Sequence, residues 1–170
     1  YYFYIRSLCG SIGNSEWSLE GTFTTACTPM SLPYTEDFEA YSSGSTYPIN
    51  ECWTKGTNSS TAYPYPFSTN AINGQRSLYF YAYHPSSATT TAIYSYAALP
   101  MFQDSVKNLM LSFIVFRYSS TTDSYTSRLV IGVMTNPDDI TTFFPMDTID
   151  LKNESSLSVH GYEFFFNNYT

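Results

Sequence analysis

Three carboxylates cluster at Glu36, Asp37 and Glu39, around Phe38. A strand over Tyr34–Phe38 would place Glu36 on the face of Phe38 and send Asp37 and Glu39 together to the other. Two carboxylates on one face make half of a calcium site, which takes about six to eight oxygen ligands. The same pair also fits a solvated acidic edge that discourages strand pairing. A second group is aromatic: Trp53, Tyr63, Tyr65 and Phe67. Rings exposed on loops stack on sugar faces and keep a wet hydroxyl. Trp53, beside Cys52, reads as a core anchor. The Tyr-Pro-Tyr-Pro-Phe run at 63–67 reads as an exposed loop, because neither proline can donate to a central strand. Catalytic chemistry has little to work with. His84 precedes Pro85 and His160 precedes Gly161, and the chain holds no Gly-x-Ser-x-Gly or His-Glu-x-x-His motif. Asp138-Asp139 follows Asn136-Pro137 and reads as turn and capping chemistry rather than a glycosidase pair. The expectation is a protein that is not an enzyme.

The elements that must carry these residues are strands. Aromatics make up 19% of the 170 residues and charged residues only 12%. Disorder needs the opposite balance, and Tyr, Phe, Thr and Val suit a pleated surface. A net charge of −7 with 7 scattered basic residues excludes the usual nucleic-acid partners. No apolar run reaches the roughly 20 residues that span a bilayer, so no membrane insertion is expected. The chain opens on Tyr-Tyr-Phe-Tyr without a signal peptide and reads as a fragment of a longer protein. Ser, Thr, Tyr and Asn dominate its polar residues, which fits a secreted or cell-surface protein. There a disulfide persists. Cys9, Cys27 and Cys52 cannot all pair internally, and their spacing matches no zinc pattern. One disulfide, Cys27–Cys52, is expected, with a free buried cysteine as the alternative.

Tyr1–Leu8 alternates strictly and Glu16–Thr25 supplies a second strand across Gly13-Asn14, so a half-buried hairpin is expected. A lone hairpin is marginal in water and calls for upstream strands. Residues 27–32 lack periodicity, contain Pro29 and read as a short linker. Beyond them, strands are expected at Ser77–Tyr83, Thr91–Tyr96, Lys107–Tyr118, Arg128–Met134, Phe143–Leu151 and Tyr162–Phe166. A turn is expected at Asn73-Gly74. Leu109–Phe116 is apolar on both faces, as in a central strand of two packed layers. The fold class is all-β, a sandwich or jelly roll.

YFYIRSLCG, SEWS and GTFTT resemble the last two strands of a fibronectin type III domain, over residues 1–26. From Leu32 to the end, LPYTEDFE, Pro48 to Cys52-Trp53, SLYFY, NLMLSF and LVIGVMTNPDD resemble the MAM-like jelly rolls of the choice-of-anchor and cleaved-adhesin type, a domain expected over 33–170. These modules occur in Bacteroidota surface proteins. That resemblance implies an adhesion or ligand-binding β-sandwich, incomplete at its C-terminal end. Its partners would be a glycan, a host or cell-surface protein, or neighbouring β-modules. It also implies a structural Ca2+ with Asp37 and Glu39 as donors, and Glu36 is a third candidate ligand. The alternatives are an ancillary domain of a secreted peptidase or glycoside hydrolase, and a plain spacer. Asn58, Asn153 and Asn168 head Asn-x-Ser/Thr triplets that the bacterial resemblance makes coincidental. Asp104-Ser105-Val106 and Asp147-Thr148-Ile149 resemble that phylum's O-glycosylation motif.

Overall fold

This computed structural model describes residues 1–23, 27–44, 49, 52–60, 62–69, 71–82, 92–118, 128–151 and 158–168, and among them every strand pairs antiparallel. The strands in chain order are β1 (Tyr2–Phe3), β2 (Gly21–Thr22), β3 (Thr54–Thr57), β4 (Ala62–Phe67), β5 (Ser77–Ala82), β6 (Ser95–Ala98), β7 (Met110–Phe116), β8 (Arg128–Met134), β9 (Phe143–Asp150) and β10 (Val159–Phe165). They associate as five pairs: β1–β2, β3–β6, β4–β5, β7–β10 and β8–β9. Among the described residues helix appears only as short 3-10 turns, and none is long and apolar enough to cross a membrane. The fold is all-β.

The main core forms where β8–β9 meets β7–β10. Alternation in Arg128–Met134 turns Leu129, Ile131 and Val133 one way, and in Met110–Phe116 it turns Leu111, Phe113 and Val115 one way. These rows close on each other around Ile131, Ile149, Leu151 and Phe166, joined by Tyr162 and Phe164 from β10. Each such apolar side chain stabilises by about 1.5–3 kcal/mol when fully buried. A bulge in β9 helps: Ile131 faces Asp147 and Gly132 faces Pro145, so Met146 is the extra residue and points into the core. The apolar residues on both faces of β7 predict a strand covered on both sides. Its outer face is instead open, with Met110 and Ile114 exposed beside Val159 and Phe165 of β10.

Several expected elements differ. No strand forms over Tyr34–Phe38, where Phe38 lies in the left-handed region at φ 63°. The expected loop at 63–67 is strand β4, with Ala62, Pro64 and Pro66 fully or nearly fully buried. Proline is tolerated there for a directional reason. The Pro66 carbonyl accepts the Gly44 N–H at 3.0 Å, on the edge away from β5. The nitrogen and carbonyl of a strand residue share a side. The missing donors of Pro66, and of Pro64 two residues earlier, therefore fall on the outer edge, where no ladder bond is lost. The strand expected at Thr91–Tyr96 is shifted to Ser95–Ala98.

The N-terminal hairpin forms, but with two residues per strand and neither face buried: Tyr2 is 72% exposed and Trp17 58%. Its rungs run through serines, with the Ile5 and Ser7 N–H groups donating to Ser18 Oγ and Ser15 Oγ at 3.0 and 2.8 Å. Arg6 lies 4.5 Å over the Trp17 ring, and Cys9 is exposed and free.

The segment expected as a linker is bonded to the second unit. Met30 bridges Phe102, donating to the Met101 carbonyl at 2.8 Å and accepting from Gln103 at 3.0 Å. Cys27 and Cys52 are joined, their Cα atoms 5.6 Å apart across a separation of 25 residues. Closing a loop of that length stabilises a chain by about 3 kcal/mol in the chain-entropy account.

Gly132 gives a direct test of the bulged core pair. A methyl there would drive into the Phe144 carbonyl oxygen and the Phe143 ring. Gly132→Ala is expected to lower stability by about 1–3 kcal/mol, read as a lower urea midpoint with unchanged slope. A wild-type midpoint would refute the register.

Candidate functional site

The carboxylates at 36–39 fold their own turn. Glu36 Oε1 accepts the Phe38 N–H at 2.8 Å, and Glu36 Oε2 accepts the Tyr41 hydroxyl at 2.8 Å. The Tyr34 hydroxyl donates to the same Oε2 at 3.3 Å and accepts the Trp53 indole N–H at 2.8 Å. Burial, then the neighbouring Glu36 charge, pushes the Tyr34 phenol above its usual range against the opposing bond from Trp53. A left-handed non-glycine residue costs about 1–3 kcal/mol. At Phe38 the bond to Glu36 and an edge-on contact with Trp53, centroids 5.9 Å apart, offset that cost. Trp53 is therefore a half-buried anchor of this turn.

The other two acids do not share a strand face, because the backbone turns between them. Asp37 Oδ1 accepts the Glu39 N–H at 3.1 Å. Glu39 Oε1 reaches the turn before β5 and accepts the N–H groups of Gln75 and Arg76, both at 2.7 Å. Arg76 Nη1 returns a bond of 3.0 Å to the Glu39 carbonyl. Gly74, at φ 75°, allows this approach, since a Cβ there would meet the carboxylate. Asp37 Oδ2 and Glu39 Oε2 accept no hydrogen bond from the described residues. Among those residues no group of three or more metal-ligating side chains gathers. A calcium ion here would draw most of its six to eight oxygens from elsewhere, chiefly backbone carbonyls and water.

The aromatic residues come together more fully than spacing suggested. With Pro64 and Pro66 turned inward, Tyr63, Tyr65 and Phe67 share the opposite face of β4. Register sets Tyr63 against Tyr81 and Tyr65 against Tyr79. Tyr118, just after β7, closes on Phe67 and Tyr79 at 6.2 and 6.0 Å. Along the strands Tyr63 and Tyr65 lie 5.4 Å apart, and Tyr79 and Tyr81 5.9 Å. Phe67 stacks on Tyr79 at 5.0 Å. Tyr63, Tyr65, Phe67, Tyr79 and Tyr81 are half-buried, and Tyr118 is exposed. Trp53 is not part of this face. Sequence reasoning missed Tyr79, Tyr81 and Tyr118. The alternation that turns Leu78 and Phe80 one way carries the signal for the first two, since it turns both tyrosines the other.

The remaining sequence candidates separate. His84, the Asn153 triplet and Tyr169-Thr170 lie outside the described residues. His160 is on β10 opposite Val115. Asp138 and Asp139 serve the turn they were expected to serve: Asn136 Oδ1 accepts the Asp138 N–H at 3.1 Å, and Asp139 Oδ1 accepts the N–H and hydroxyl of Thr141 at 2.9 and 2.7 Å. Those two bonds hold the Asp139 carboxyl below its usual range. The Asn58 amide is committed to the backbone of Ala92 and Tyr94 at 2.8 and 2.9 Å. The chain matches no family model, no curated protein and no solved structure.

Two outcomes test this geometry. Glu39→Ala leaves the Gln75 and Arg76 N–H groups without their acceptor, a loss of about 1–3 kcal/mol. Glu39→Gln, which keeps an oxygen there, should lose less in the same denaturant titration. Burial, reinforced by neighbouring tyrosines, holds Tyr65 and Tyr79 above the usual 10.0. The folded state thus favours their neutral form. That stability is fully present below pH 10 and is lost as pH rises through the raised values. Tyrosinate absorbance should show a late-ionising fraction that merges with the rest in denaturant.

Proposed function

We propose that this chain is a non-catalytic adhesion or ligand-binding module, a jelly-roll β-sandwich of a secreted or cell-surface multidomain protein, and that the aromatic face of β4–β5 is its binding surface. The observation that supports this is the gathering of Tyr63, Tyr65, Phe67, Tyr79, Tyr81 and Tyr118 on one half-exposed face. Aromatic residues that keep a polar tip are what binding surfaces favour, because they offer large contact area with few rotamers to freeze. The Cys27–Cys52 bond fits an oxidising compartment. Immobilised chain should retain glycan-coated or matrix-protein-coated beads. Tyr65→Ser combined with Tyr118→Ser should abolish retention while the far-ultraviolet circular dichroism stays unchanged. Equal retention by the variant would remove this face from the function.

A structural calcium ion belongs to the same proposal, with Asp37 and Glu39 as carboxylate donors and Glu36 holding the turn that presents them. A native-state ligand at a hundredfold excess over Kd adds about 2.7 kcal/mol. Calcium should therefore raise Tm relative to chelator. Asp37→Asn keeps an oxygen for the Glu39 N–H but removes the charge, and should erase that rise. Identical melting in both buffers would eliminate the ion.

A further inference from the structure

The face on β4–β5 has chemistry that narrows its ligand. Tyr63, Tyr65, Tyr79, Tyr81, Phe67 and Tyr118 form an unbroken chain of ring contacts, centroids 5.0 to 6.2 Å apart, with Phe67 and Tyr118 at one end. Elsewhere tyrosine hydroxyls are used inside the protein: Tyr4 donates to Glu20, Tyr41 and Tyr34 to Glu36, and Tyr96 to the Pro137 carbonyl. None of the five phenols on the β4–β5 face makes a hydrogen bond among the described residues. A partly buried phenol ordinarily finds a partner, so this face offers apolar ring area together with uncommitted donors and acceptors. We propose that it takes an uncharged, extended glycan chain, with sugar rings laid on Tyr63, Tyr65, Tyr79 and Tyr81 and with Tyr118 at one end. This rests on the ligand-binding reading above and names its ligand class.

Three observations point to a sugar rather than to a peptide or a charged polymer. None of the residues forming the face is charged, and the chain carries a net −7, which repels polyanions. A peptide adding as a strand needs an edge with open backbone donors. The outer edge of β4 lacks donors at Pro64 and Pro66, and its Pro66 carbonyl is already taken by Gly44. The separation of successive rings along each strand, 5.4 to 5.9 Å, is comparable with the length of one pyranose unit in an extended chain. The rings tilt from one another, by 48° at Tyr63–Tyr65 and 43° at Tyr79–Tyr81, which suits a chain whose units turn along its length, their apolar C–H faces against the rings and their rim hydroxyls against the phenols. Tyr65 and Tyr79, raised by burial, stay neutral donors at physiological pH. The backbone beneath is held where β4 ends and β5 begins, by Glu39 on Gln75 and Arg76 and by Gly44 on Pro66, so less ordering remains to be done there on binding.

The test is native affinity electrophoresis of the intact chain through gels containing hydroxyethylcellulose, mixed-linkage β-glucan or galactomannan, against gels containing anionic alginate or cationic chitosan. Retardation by at least one neutral polysaccharide, insensitive to salt, is expected. It should weaken about tenfold in Tyr65→Ala and in Tyr79→Ala, each corresponding to about 1.4 kcal/mol. Tyr65→Phe should lose less, because stacking survives. Tyr118→Ala, at an exposed position, should also weaken binding and keeps the test decisive where a strand variant fails to fold. Tyr96→Ala, away from the face, should bind as wild type. Retardation by alginate or chitosan alone, or retardation that ignores all three face variants, overturns the uncharged-glycan assignment. So does retention on matrix-protein beads without any polysaccharide binding, although ligand binding by the module would then stand. Failure on every polysaccharide and every coated bead overturns both.

Discussion

Two antiparallel strands alone bury too little surface to persist in water, and this constraint governs the arrangement of the chain. β8–β9 and β7–β10 satisfy it by turning their alternate apolar rows toward each other around Ile131, Ile149, Leu151 and Phe166. The bulge brings Met146 into that core, and the bare Gly132 leaves room for the Phe143 ring and the Phe144 carbonyl. The ion pair seen at the end of β8–β9 contributes little beside this burial. The bond between Arg128 and Asp150, at 4.0 Å, joins two exposed side chains, and such pairs are worth about 0–1 kcal/mol.

The second half of the scaffold is held less by apolar burial than by directed polar contacts. Glu36 gathers a backbone N–H and two phenols, and Glu39 grips two consecutive backbone N–H groups across 36 and 37 residues of chain. Charge-assisted bonds of this kind are stronger than neutral ones. Together with the Cys27–Cys52 bond and the bridge from Met30 to Phe102, they fix the chain from 27 to 44 against β5, Trp53 and the segment before β7. Carboxylates that look from their spacing like a cation site thus act first as organisers of backbone.

The aromatic face of β4–β5 follows from that organisation. Once prolines are confined to the outer edge and their side chains to the inner face, every ring of the Tyr-Pro-Tyr-Pro-Phe run must emerge on the other side. Cross-strand register then adds Tyr79 and Tyr81, and the exit from β7 adds Tyr118. Aromatic cross-strand pairs contribute about 0.2–1 kcal/mol each, so the same rings that could receive a ligand also support the pair that carries them. The N-terminal hairpin has no comparable support among the described residues. Its rings at Tyr1, Phe3 and Phe23 touch one another yet stay largely exposed.

Composition and alternation alone determined the all-β class, the limits of β8 at Arg128–Met134, the turn at Asn73-Gly74 and the capping at Asp139. Each depends on residues within a few positions of one another, where local sterics and side-chain reach decide. Alternation misled at Tyr34–Phe38, because Glu36 could bond the Phe38 N–H and draw the backbone into a turn, a choice that also needed Trp53 from 15 residues away to hold the ring. Proline misled at 63–67, because its cost depends on which edge of a strand faces a neighbour, and that is a property of the sheet. The grip of Glu39 on Gln75 and Arg76, and the meeting of Tyr63, Tyr65, Tyr79, Tyr81 and Tyr118, required register between distant segments. Register is set by which faces bury together, so only the tertiary structure decided them.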